Sequence, residues 1–71
     1  MTKYYIYEPR QTLDEAIEYD YSIETDGDEE EALYDWLKSE ERNGNYSNGY
    51  PDREEYIVYN SEILTQKTFE V

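Results

Sequence analysis

The chain has 71 residues, no cysteine and no histidine, and its nineteen acids against six bases give a formal charge of −13. A chain this short forms one domain, 1–71, with a small core and no room for a deep cleft. The missing thiol and imidazole remove the commonest nucleophile and general base, and the absence of cysteine leaves no disulfide framework, so the composition argues against an enzyme and for a cytoplasmic protein. Ten tyrosines, one tryptophan and one phenylalanine supply apolar surface that disordered acidic chains lack.

In chain order, Lys3 to Glu8 (KYYIYE) is rich in aromatic and branched residues and stops at Pro9, which marks a first strand. Thr12 and Glu15 have capping-box spacing, enough for a short helical turn. From Ile17 to Thr25 the odd positions are Ile17, Tyr19, Tyr21, Ile23 and Thr25, and the even ones are Glu18, Asp20, Ser22 and Glu24. That period-two pattern predicts a half-buried second strand with Tyr19 and Tyr21 in the core.

Asp26-Gly27 turns the chain, and Asp28 with Glu31 has the spacing of a second capping box. A helix is predicted over about Glu29 to Glu41. Leu33, Trp36 and Leu37 fall on one face, Ala32 on its edge, and Asp28, Glu31 and Asp35 on the other. Two Asn-Gly pairs and a proline make about 42–53 an irregular loop. Glu55 to Asn60 and Gln66 to Val71 read as a hairpin joined through Ser61 to Thr65. The sum is an α+β domain, β-β-α-β-β, with a four-stranded antiparallel sheet and one helix seated through Trp36.

The stretch Gln11 to Leu37 holds eleven acids and no base, whereas an ordinary solvated face mixes signs. Asp26, Asp28 and Glu30 have the first spacings of a calcium loop, but Gly27 stands at loop position 2 and Leu37 where a bidentate glutamate belongs, so no metal or cofactor is expected. A surface of this sign repels phosphate and anionic lipid, which excludes direct nucleic-acid binding and disfavours membranes. Acids on one face of a strand recur every ~6.7 Å, a spacing on the scale of the charges along a nucleic-acid strand. Glu18, Asp20 and Glu24, continued by Asp26, Asp28, Glu31 and Asp35, are therefore the candidate contacts for a basic cleft, with Tyr46 and Tyr50 of the loop as apolar contacts.

In size, acidity and mixed α/β pattern, and above all in the base-free stretch EAIEYDYSIETDGDEEEALYDWL, the chain resembles the small phage-encoded DNA-mimic inhibitors of anti-CRISPR and anti-restriction type. The resemblance is one of type and transfers no individual residue. It implies a non-catalytic inhibitor, monomer or homodimer, that occupies the DNA- or RNA-binding groove of a CRISPR effector or other nuclease. An adaptor that binds a protein through an exposed sheet edge, at Lys3 to Glu8 or Gln66 to Val71, is the alternative from another class.

Overall fold

The computed structural model describes residues 1–42 and 55–70, with the backbone alone for 40–42. The elements run β1 (Thr2–Tyr7), α1 (Leu13–Glu18), β2 (Ser22–Thr25), α2 (Glu29–Arg42), β3 (Glu55–Asn60) and β4 (Thr65–Glu70). The fold is α+β, with a four-stranded antiparallel sheet ordered β2-β1-β3-β4. Beyond Arg42, the expected 42–53 loop, with Tyr46 and Tyr50, lies outside the described residues.

The expected strand from Ile17 to Thr25 is half replaced by a helix. Ile17 satisfies period two with Tyr19, but it also completes the helical set Leu13, Ala16, Ile17, and local chemistry favours the helix. Thr12 caps α1 by accepting the Glu15 N–H at 3.2 Å, and Ala16 is fully buried beneath it. At the other end the Tyr21 N–H donates to the Ala16 carbonyl at 2.8 Å and the Asp20 N–H to that of Ile17 at 3.3 Å, which is a Schellman closure. Asp20 takes the left-handed backbone, φ 56°, that this closure demands at the residue after the cap. Only Ser22–Thr25 then remains extended, so Glu18 and Asp20 belong to a helix end and its turn.

Alternation along β1 and β3 divides the sheet into two faces. Tyr4, Ile6, Tyr56 and Val58 point to one side and form a single core with Ala32, Leu33 and Leu37 of α2. Ile23, Phe69 and Trp36 pack on its margin, with the Trp36 ring edge-on to Tyr56 at 6.2 Å between centroids. The helix stripe expected from the sequence thus seats α2 on the sheet. Tyr19, by contrast, is 62% exposed and Tyr21 only half-buried, because the turn at Asp20 lifts Tyr19 out of the strand register before β2 begins.

β1 pairs with β2 from Thr2↔Thr25 to Tyr5↔Ser22 and with β3 from Tyr4↔Asn60 to Tyr7↔Ile57. It is therefore a central strand, and the expectation that Lys3 to Glu8 offers a free edge is corrected by this topology. β2 and β4 are the outer strands, and every residue of β4 except Phe69 is exposed. Buried Asn60 organises the β3–β4 turn: its carbonyl oxygen Oδ1 accepts the N–H groups of Glu62 and Ile63, at 2.9 and 3.3 Å. Among the described residues no helix is long and apolar enough to cross a membrane.

Candidate acidic interface

Along α2, one face is committed to the core and the other carries charge. Asp28 precedes the helix and its carboxylate accepts the Glu31 N–H at 3.0 Å, so the charge stands at the positive end of the helix dipole. Glu31 folds back over Gly27 closely enough that a Cβ on that glycine would lie 2.8 Å from its side chain. Only glycine leaves this space at the corner. The buried Tyr4 hydroxyl donates to the Gly27 carbonyl at 2.9 Å and ties the same corner to the sheet. Burial, with Glu29 and Asp28 nearby, holds the Tyr4 hydroxyl above its ordinary pKa, so it stays a donor.

Glu30, Glu31 and Asp35 are exposed, and among the described residues none has a cation within ion-pair distance. At a rise of ~1.5 Å per residue, Asp28, Glu31 and Asp35 span about 10 Å along the axis. Because Leu33 and Leu37 are locked in the core, this row is displayed by a rigid element.

The remaining predicted acids stand elsewhere. Glu24 alternates with core-packed Ile23 and so lies on the sheet face away from α2, where Lys3 is its cross-strand neighbour. Asp20 accepts the Ser22 hydroxyl at 2.6 Å and pairs with Lys3 at 3.4 Å. The Ser22 bond and then the Lys3 charge draw the Asp20 carboxyl below its usual range. Lys3 itself lies 5.2 Å over the Tyr5 ring, and its pKa is raised by the Tyr5 hydrogen bond and the Asp20 charge. Asp26 faces the amino terminus at 3.7 Å, and Glu18 is exposed at the end of α1. The acids foreseen as one band thus separate: Asp20 and Glu24 lie beside Lys3, Asp28, Glu31 and Asp35 lie on the outside of α2, and Glu18 and Asp26 stand apart from both groups.

Glu29 is the acid that serves the fold. Its side chain is 12% exposed, lies 3.5 Å from Lys67 and accepts from Asn60 at 3.4 Å, which joins the start of α2 to β3 and β4. Its own backbone N–H, then Asn60 and Lys67, hold its carboxyl below the usual 4.5 against the opposing effect of burial. A carboxyl with a depressed folded-state pKa contributes stability that is fully present above the unfolded value and is lost as pH falls through the folded one. Wild type is therefore expected to lose stability, relative to Glu29→Gln, as pH falls below about 4.5. Chemical denaturation of both proteins between pH 7 and pH 3 measures this, and parallel curves would remove Glu29 from the account.

Sequence spacing had no signal for this partnership, because Lys67 and Asn60 reach Glu29 only through the sheet. Glu30, which the strand-based row had passed over, belongs with the α2 acids by exposure. No family model, curated protein or solved structure matches the chain.

Proposed function

We propose that this protein is a non-catalytic inhibitor whose acidic α2 face stands in for a nucleic-acid backbone in the basic groove of a nuclease, a CRISPR effector foremost. The observation that carries the reading is the row Asp28, Glu31 and Asp35, with Glu30 beside it, exposed on a helix anchored through its other face. Acids that form no ion pair among the described residues leave their field to an incoming Lys- and Arg-lined surface, which gives fast, salt-sensitive association. Occupying the groove excludes the nucleic acid sterically and electrostatically, with no bond made or broken. Glu24 and Asp20, tempered by Lys3, form a second and weaker acidic surface that a groove wrapping the domain would meet. Action inside a host cytoplasm follows from this reading.

Charge reversal tests it. The Glu31→Lys/Asp35→Lys protein is expected to keep its fold and to fail to retain nucleic-acid enzymes that wild type is expected to retain from bacterial lysate and release to DNA or moderate salt. Equal retention by the two proteins would sink the α2 assignment.

The edge-binding adaptor keeps one observation in its favour, the exposed outer strand β4. Main-chain pairing there depends little on salt. A partner held through β4 would survive both salt and competing DNA.

A further inference from the structure

The end of α1 leaves apolar side chains in solvent that the core does not use. Ile17 is 50% exposed and Tyr19 62%, and the Tyr19 ring stacks on Tyr21 with centroids 5.8 Å apart and planes at 27°. The Schellman closure places these two rings on either side of Asp20 and fixes the backbone between them. An aromatic pair held in place this way presents a ring face without the entropy cost of ordering it on contact.

What surrounds the pair selects its occupant. Glu18 and Asp20 flank Tyr19 in the chain, Glu15 lies a turn earlier, and Glu24 follows on β2; Lys3 is the cation recorded near them, already paired with Asp20. An exposed ring pair whose chain neighbours are carboxylates complements a cation that is also planar and weakly hydrated. Guanidinium fits that description better than ammonium, since it stacks on aromatic faces while its N–H fork reaches carboxylates.

We propose that the Tyr19–Tyr21 stack is an anchoring site for an arginine side chain of the protein partner, with Glu18, next to Tyr19 in the chain and without an ion pair among the described residues, to receive the guanidinium edge. This rests on the reading of the acidic surface as a receptor for a basic protein, and it adds the type of cation and the place. Aromatic and arginine anchors enclosed by a charged rim are the usual source of strong contacts at interfaces.

Titration of the isotope-labelled full chain with nona-arginine and nona-lysine peptides at low salt, followed by amide chemical shifts, tests it. The expected result is that Ile17 to Tyr21 respond to nona-arginine, which binds about three-fold or more tighter than nona-lysine. Tyr19→Ala is expected to reduce nona-arginine to the nona-lysine level, while Tyr19→Phe, which keeps the ring, preserves the difference. Since Tyr19 is mostly exposed, both variants should melt with wild type. Equal binding of the two peptides with shifts confined to α2 would overturn the anchor and leave the acidic-surface reading standing. No response to either peptide would overturn both.

Discussion

Leu37→Ala is expected to lose about half of the stability of the domain. Leu37 is fully buried between α2 and the sheet, and removing its isopropyl group costs the transfer free energy plus the cavity left behind, about 2 to 5 kcal/mol. A domain of this size has a net stability of only about 4 to 10 kcal/mol, and self-repulsion among the acids lowers it further at low salt. The melting temperature should therefore fall by roughly 10 to 30 °C, and added salt should raise both proteins alike, leaving the gap between them. Ile17→Ala is the matched control, because Ile17 is largely exposed and should change stability by about 0.5 kcal/mol or less. Circular dichroism melts of the three proteins at two salt concentrations measure this. A Leu37→Ala protein that melts within a degree or two of wild type would mean that α2 is not seated through this stripe.

Charge reversal of Glu31 and Asp35 is expected to have the opposite profile, with a large effect on binding and a small one on folding. Each reversal removes an attraction to a basic partner and adds a repulsion, each worth about 1 kcal/mol at contact distance in a water-like dielectric. Partial screening leaves roughly 2 to 4 kcal/mol for the pair, or about 30- to 1,000-fold in affinity at low salt. The difference should shrink as salt rises, because it is Coulombic in origin. Both side chains are exposed and lack ion-pair partners among the described residues, so their reversal disturbs no recorded salt bridge. It relieves some of the excess negative charge but sets a lysine in the first turn of α2, so the two effects oppose and the melting temperature should stay near that of wild type. Affinity for a captured partner across a salt series, beside a thermal melt, separates the two effects. Loss of binding accompanied by unfolding would assign these acids to the fold instead.

The contrast between these variants also shows which parts of the fold could be read from sequence. α2 was legible because Leu33, Trp36 and Leu37 recur at helical spacing, and Asp28 marks its start with a cap that forms as its spacing implies. Glu55–Asn60 was legible because its alternation is supported by aromatic and branched residues with no competing period. The segment after Thr12 was ambiguous in a specific way. Ile17 fits a strand register with Tyr19 and a helical one with Leu13 and Ala16, and a left-handed aspartate at Asp20 closes the helix where sequence rules look for glycine.

The candidate surface was legible in composition and not in layout. Eleven acids without a base between Gln11 and Leu37 announce an anionic domain, yet their faces depend on the turn at Asp20 and on strand register. Lys3 and Asp20 are far apart in the chain, and the structure sets them 3.4 Å apart. Glu29 and Glu30 are adjacent and look alike in sequence, but one is tied to Lys67 and Asn60 and the other is exposed. Tertiary pairing decides which acids remain for a partner.

The most direct measurement of the central claim is competition at the partner. A protein retrieved by the wild-type chain is purified, loaded with a labelled nucleic acid of the kind it binds, and titrated with the wild-type and Glu31→Lys/Asp35→Lys chains. The account predicts that wild type displaces the nucleic acid with one-to-one competition that weakens as salt rises, and that the reversed protein does not. A stable ternary complex of partner, nucleic acid and wild-type chain would contradict it.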